Sequence, residues 1–506
     1  MSDFKRRLAA LMLGAASTGL LAAGPIQAET VKLTILGVGD IYNFDGDGER
    51  GGFARLNAVA KKERADNPNT LYVFDGDMLS PSLLSGIDEG QNTIDLTNIV
   101  PFDIAVPGNH EFDFGPQNFE KKMEASKYPW AAINITQKDG SPVQGLGGVM
   151  IKEIAGLKVA LVPVAQDTTP EVANSGDLKF GPTVDSAIAA AKKAREDGAD
   201  LVIGVVQTDQ SNDRDLIASK DFDVIISGDD HLNAMFYDGI TAYVETSIDA
   251  RYLMPVDLTV DISEKDGKRK ISWTPDFRWI DTANVTPDPE SMKLVNGFKQ
   301  QLDDNLGQQI GTSETELDSR RNVVRSQEST MGDLIADALR AATKADVTLI
   351  NGGGIRGDTT YDAGHKITRK DVLTELPFGN KTVVTEIPGS QLLSALENGF
   401  SQVENGAGRF PQISGMSVVY DPSAPAGSRV VSVEVGGQPL DKDKVYKVAT
   451  NDYMLGGGDG YTSLGGGKVI VNAGNGNLMA NDVMTYIENK GTVAPKLDGR
   501  IKKQGE

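Results

Sequence analysis

Between residues 31 and 231, five β-branched, apolar runs each end abruptly in Asp, Asn, Gln or His. Val31 to Val38 runs into Asp40, and Thr70-Leu71-Tyr72-Val73-Phe74 into Asp75-Gly76-Asp77. Phe102 to Val106 leads to Asn109-His110, Leu201 to Val206 to Gln207-Thr208-Asp209, and Phe222 to Ile226 to Gly228-Asp229-Asp230-His231. Apolar runs without alternation suit strands buried on both faces, which means a sheet covered on each side. Helical segments such as Ser186 to Arg195 lie between some of the runs. The expected fold class is therefore layered α/β, with polar residues of successive strand ends gathered along one sheet edge, where ligands of such folds bind.

That edge offers oxygen and nitrogen donors. The chain has no cysteine, so thiolate sites and disulfides are excluded. Asp40, Asp77, Asn109, Asp209, Asp229 and His231 are candidate metal ligands, with Asp77 and Asn109 as bridges between two divalent cations. Two cations about 3.5–4 Å apart can activate a water and clamp both oxygens of an in-line displacement at phosphorus. Mostly oxygen ligands favour a hard ion, Mn²⁺, Mg²⁺ or Ca²⁺, over zinc. His110, with Asp113 three residues on to orient its ring, is the candidate for stabilising charge on the phosphoryl group or protonating the leaving oxygen.

The rest of the chain sets the boundaries. Lys5, Arg6 and Arg7, the apolar stretch Leu8 to Ala23 and the Ile26-Gln27-Ala28 ending read as an export signal over 1–28, with a periplasmic destination and no membrane attachment after cleavage. A first domain is expected over 29–282 and a helical connector over 283–306. In the connector Asp288 caps Pro289, and Met292, Val295, Phe298, Leu302 and Leu306 recur at helical spacing. A second domain follows over 307–506. The 506 residues carry 50 Lys+Arg against 71 Asp+Glu, a formal charge of −21. So acidic a chain is a poor nucleic-acid binder, and an anion site must come from a local cluster of Arg or Lys.

Taken together, Gly76-Asp77, Gly108-Asn109-His110-Glu111-Phe112-Asp113, Asn351-Gly352-Gly353-Gly354-Ile355-Arg356, Pro377-Phe378-Gly379-Asn380 and Gly457-Gly458-Asp459-Gly460-Tyr461 resemble the boxes of the 5′-nucleotidase family. The resemblance covers nearly all of the chain after residue 28. It implies a four-layer αββα calcineurin-like metallophosphoesterase sandwich joined to an α+β nucleotide-binding domain. It also implies His110 and Asp113 as the catalytic pair, Arg321, Arg325 and Arg356 on phosphate, Phe378 and Tyr453 stacking on the base, Asn380 as its polar contact, and Asp459 on the ribose. Arginine forks suit phosphate oxygens, and two flat rings can sandwich any base.

The departures fall on the metal ligands. The family writes Asp-x-His where this chain has Asp40-Ile41-Tyr42, Thr-His where it has Thr208-Asp209, and Gly-Gly-His-x-His where it has Ser227-Gly228-Asp229-Asp230-His231. Three imidazoles are thus exchanged for groups that offer only oxygen. The leading expectation is a secreted, two-metal nucleotide phosphohydrolase, a monomer or weak dimer. The alternatives are a nucleotide-binding protein on a degenerate enzyme scaffold, or a hydrolase of another organic ester.

Overall fold

The structure, a computed structural model, describes residues 29–265 and 268–505. The expected export signal over 1–28 lies outside the described residues.

The first half is a sandwich of two sheets. One has seven strands in the order Lys268–Phe277, Val256–Lys265, Glu29–Val38, Thr70–Phe74, Ile104–Ala105, Trp130–Ala131 and Leu146–Gly147. The other has six, Ala234–Tyr237, Ala242–Glu245, Val224–Gly228, Leu201–Gln207, Leu157–Val164 and Met150–Ile154. Glu29–Val38 pairs parallel with Thr70–Phe74, which pairs parallel with Ile104–Ala105. Leu201–Gln207 lies parallel between Leu157–Val164 and Val224–Gly228. Parallel strands end on the same side, and so do the polar residues that follow them.

Alternate side chains of each central strand face different cores, so the runs need no polar residue. Leu33, Ile35, Leu71 and Val73 meet Val159, Leu161, Ile203 and Val205 between the sheets. Leu36, Val38, Tyr72 and Phe74 pack outward under the helix Phe53–Asp66 and its neighbours. Val162, Val164, Val202 and Val206 pack outward under the helix Thr183–Glu196. These are the four layers, helix, sheet, sheet, helix.

The stretch expected to connect the halves is the helix Pro289–Leu306, with Asp288 capping it by accepting from the Ser291 amide. Val295 is buried in the first core, and Met292, Phe298 and Leu302 pack against it, so the helix is fastened to the sandwich. The second half centres on a five-stranded sheet, Pro411–Ser414, Val347–Asn351, Val445–Asn451, Thr382–Pro388 and Lys468–Val471. The helices Thr330–Thr343 and Met479–Lys490 enclose one apolar core and Gly389–Phe400 belongs to another.

Candidate functional site

The strand ends converge on one buried polar cluster. Asp40, Asp77, Asn109 and Asp229 are buried, and His231 nearly so. Asp40, Asp77, Asp229 and His231 all hold left-handed backbone, with φ of 53°, 67°, 100° and 60°. Such conformations cost non-glycine residues roughly 1–3 kcal/mol each and persist where the surroundings over-determine them, often at functional sites. Burial pushes the Asp40 carboxyl up to about 6, and those of Asp77 and Asp229 well above the usual carboxylate range.

Beside this cluster His110 and Asp113 meet as the sequence predicts. Nδ1 of the fully buried imidazole lies 2.7 Å from Asp113 Oδ2. Its Nε2 lies 2.9 Å from the carbonyl oxygen of Gly474, in the second half of the chain. Both ring nitrogens thus face oxygen atoms, one from each half of the chain. The intervening Glu111 has another task. Its buried carboxylate accepts from the backbone amides of Gly108 (2.7 Å), Asp77 (2.9 Å), Met78 (2.8 Å) and Leu79 (3.3 Å). It ties the loop bearing His110 to the loop bearing Asp77, and the His110 amide adds a bond to Asp77 Oδ1 at 2.8 Å.

One expected ligand is displaced. Asp209 does not join the cluster: its carboxylate caps the helix Gln210–Ser219, accepting from the amides of Ser211 and Asn212. The strand ends two residues earlier, and Gln207 is the side chain that reaches inward, its Nε2 2.9 Å from Asp77 Oδ2 and 3.4 Å from Asp40 Oδ1. Tyr42 fills a further part of the centre. Its hydroxyl lies 3.3 Å from Asp40 Oδ1, 3.5 Å from Asp77 Oδ2 and 3.0 Å from His231 Nε2. Burial and the Asp40 charge push the phenol well above its ordinary range, so it stays a neutral donor, and burial lowers His231 to about 3, leaving a neutral imidazole.

A residue absent from the sequence expectations completes the cluster. Lys381 comes from the second half of the chain, directly after Pro377-Phe378-Gly379-Asn380, and its Nζ lies 4.5 Å from the centroid of the Tyr42 ring. That ammonium is buried without a hydrogen-bond partner. Burial lowers its pKa, while Asp249, Asp77, Asp113 and Asp452 support its charge.

These residues bear on the two cations expected here. Both oxygens of Asp40 and of Asp77 already accept from protein donors: Tyr42, Gln207 and the amides of His110 and Asp229. Among the described residues no three His, Asp or Glu side chains are arranged around a metal position. Yet both amide atoms of buried Asn109, and Asp229 Oδ1, have no partner. Buried polar atoms without partners are rare and call for an explanation such as an ion. The unpartnered oxygens of Asn109 and Asp229, beside Asp77, are where a hard cation would be held.

The second half carries a separate cavity of about 490 Å³. Arg325, Arg356, Phe378, Asn380, Tyr453 and Asp459 line it together with Asn351 and the backbone of Gly353, Gly354 and Gly408. Arg321 is exposed and outside that lining, though its charge and that of Arg356 add to burial in lowering the pKa of Arg325. Among the described residues none of the three guanidiniums has a carboxylate within ion-pair distance, and at Arg325 the charges of Asp459 and Asp358 act from further off against that repulsion. The rings of Phe378 and Tyr453 are 59% and 49% exposed, although both are large and apolar. Arg356 sits 5.4 Å from the Phe378 ring centroid. Asp459 is set by Asn351 Nδ2 (2.9 Å) and the Tyr453 hydroxyl (3.1 Å), a role for Asn351 that its place in the Asn-Gly-Gly-Gly box only hinted at. A side chain at Gly353 would come within 2.8 Å of the Gly408 backbone, which is why the box needs glycine there.

Comparison with known proteins brings both sites under one heading. Residues 33–233 match the model of the calcineurin-like phosphoesterases, and residues 309–466 that of the 5′-nucleotidase C-terminal domain. The chain is 27% identical to the 5′-nucleotidase of Homo sapiens, over 96% of this chain and 94% of that one. It is likewise 27% identical to the snake venom 5′-nucleotidase of Gloydius brevicauda, over 97% and 92%. The NAD nucleotidase of Haemophilus influenzae shares its fold, with a TM-score of 0.79 at 22% identity over 94% of this chain and 99% of that one. With a phosphoesterase sandwich, the His110–Asp113 pair at its strand ends and the second domain all in the family's order, this chain belongs to the 5′-nucleotidase family of phosphoric ester hydrolases.

Proposed function

We propose that the protein is a metal-dependent phosphohydrolase that cleaves the phosphate ester of nucleotides. The observation that carries this reading is a cavity with two guanidiniums that have no carboxylate at ion-pair distance, a third beside it, and two exposed aromatic rings, in a chain of net charge −21. Arg325 and Arg356, with Arg321 beside them, grip phosphate, Phe378 and Tyr453 sandwich the base, Asn380 contacts it, and Asp459 accepts from the ribose hydroxyls. Calcineurin-like phosphoesterases are dinuclear metal enzymes, and a hard divalent ion such as Mn²⁺, held by Asp77, Asn109 and Asp229, would supply an activated water and neutralise charge at phosphorus. His110, held by Asp113, delivers the proton to the leaving oxygen.

Every residue lining the cavity lies in the second half of the chain, whereas His110 lies in the first. The Nε2 of that imidazole is engaged by the Gly474 carbonyl of the second half, so in this reading the halves move against one another to let phosphate reach it. Among the described residues no helix is long and apolar enough to cross a membrane, and delivery to the periplasm by the segment 1–28 belongs to the same proposal. Protein recovered from the periplasm should begin at Glu29; recovery with Met1 in place would overturn that part.

Phosphate release from nucleoside 5′-monophosphates, with and without Mn²⁺, tests the activity. Metal-dependent release from at least one nucleotide is expected. The donors already engaged with Asp40 and Asp77 favour one rival, a protein that captures nucleotides without turning them over. Tight nucleotide binding with no release under any divalent ion would establish that rival.

A further inference from the structure

We infer that the phosphoesterase centre of this chain is built for one divalent cation, and that the Lys381 ammonium and the Tyr42 hydroxyl stand where a second would be. The inference rests on the reading above that the cluster binds a cation at all.

Three observations converge on it. The first is occupancy. The Tyr42 hydroxyl lies within 3.5 Å of Asp40, Asp77 and His231 together. These are the side chains that would surround an ion at that end of the cluster. A neutral phenol there has one proton to donate and is a poor metal ligand, so it fills the space while Gln207 and the amides of His110 and Asp229 supply the other donors to the carboxylates.

The second is charge. Buried carboxylates gather here, Asp40, Asp77 and Asp229 with Asp75 and Asp249 beside them. The Lys381 ammonium already places one positive charge among them. The Lys381 ammonium is buried, has no hydrogen-bond partner and lies over the face of the Tyr42 ring at 4.5 Å. A buried ammonium of this kind is costly unless opposite charge or a ring face compensates it, and here both are at hand.

The third is the contrast between the two ends of the cluster. Around Tyr42 every carboxylate oxygen has a donor. The buried amide of Asn109 and one oxygen of Asp229 have none. A single ion held by Asn109 Oδ1 and Asp229 Oδ1 beside Asp77 satisfies both of those oxygens and leaves the donors around Tyr42 in place.

The position of Lys381 also gives the arrangement a consequence. Its backbone is held by Asp452, whose carboxylate accepts from the Lys381 amide at 3.2 Å, next to Tyr453 of the nucleotide cavity. The cation that replaces the metal is therefore supplied by the half that binds the nucleotide, and it arrives or leaves as the halves move.

The test is a metal count on the purified full-length protein, loaded with excess Mn²⁺ and gel-filtered. Elemental analysis should find one Mn per chain, and electron paramagnetic resonance an uncoupled six-line spectrum. Two Mn per chain with an exchange-coupled spectrum overturns the inference, and so does no bound Mn at all. The double substitution Tyr42→His with Lys381→Ala should raise the count to two and bring the coupled signal; a folded double variant that stays at one ion overturns the assignment of these two residues. None of these readouts depends on turnover, so a chain that releases no phosphate can still pass or fail them.

Discussion

The Nε2 nitrogen of His110 lies 2.9 Å from the carbonyl oxygen of Gly474. The nitrogen proposed to pass its proton to the leaving group is thus engaged by the second half of the chain, some 360 residues on. A second bond between the halves has Asn481 Nδ2 donating to the Ser82 carbonyl at 2.7 Å. Because the chain has no cysteine, a Ser82→Cys, Asn481→Cys pair can be oxidised without competition. Locking this contact should abolish phosphate release and leave nucleotide affinity within about twofold, with reductant restoring turnover. Unchanged turnover in the oxidised pair would mean that the halves need not separate.

Removing the proton-handling pair should act on chemistry alone. We expect His110→Ala to lower the rate of phosphate release by about 10²–10⁴-fold, and Asp113→Asn by less, since the ring remains. Nucleotide binding followed by calorimetry should be unchanged in both. A rate preserved in His110→Ala would remove the imidazole from the reaction.

The aromatic clamp makes the opposite prediction. Phe378→Ala and Tyr453→Ala should each weaken nucleotide binding by about 1–3 kcal/mol, roughly 5–150-fold, with the loss similar for purines and pyrimidines. Tyr453→Phe should retain most of the stacking and expose only the contribution of its hydroxyl, which helps to set Asp459. Binding indifferent to both alanine variants would place the base elsewhere.

Glu111 should prove to be a structural carboxylate. Glu111→Ala strips the acceptor from four buried amides, and with about 1–3 kcal/mol for each buried donor left unsatisfied the loss should be at least about 4 kcal/mol. Thermal unfolding should fall by roughly 8–16 °C. Glu111→Gln, which keeps an oxygen, should fall by less.

Stability should also respond to pH through Asp482. Burial pushes this carboxyl from 3.8 up to about 7, against hydrogen bonds from Thr382 and Asn477 that pull it down. The folded chain therefore keeps a proton that the unfolded chain has released. The associated stability is complete below about pH 4 and is lost as pH rises to about 7, with a slope of up to ~1.4 kcal/mol per pH unit. Asp482→Asn should flatten that part of the stability profile seen by denaturant unfolding; a slope identical to wild type would assign the dependence to other groups.

The layered fold was legible because burial on both faces leaves a mark on every central strand: Thr70 to Phe74 and Leu201 to Val206 contain no charged residue at all. The His110–Asp113 pair and, in the cavity, Arg356, Phe378, Asn380 and Asp459 were legible because each sits in a contiguous box, whereas Arg325 and Tyr453 lie outside those boxes and came only with the resemblance as a whole. Gln207 was not, since a strand that ends two residues early passes the inward position from an obvious ligand, Asp209, to a neutral amide, and nothing local announces the shift. Lys381 was invisible for a different reason. Its partners Tyr42 and Asp77 lie more than 300 residues away, and no local pattern encodes a contact between halves.

The Glu111 carboxylate makes the location of the imidazole depend on peptide groups. Because it fastens the loop of His110 to the loop of Asp77 through their amides, the geometry of the proton donor is referenced to the backbone and is indifferent to what the neighbouring ligands hold. A centre anchored in this way can exchange imidazole for phenol, carboxylate or amide, and a metal ion for an ammonium, while its proton donor keeps its bearings.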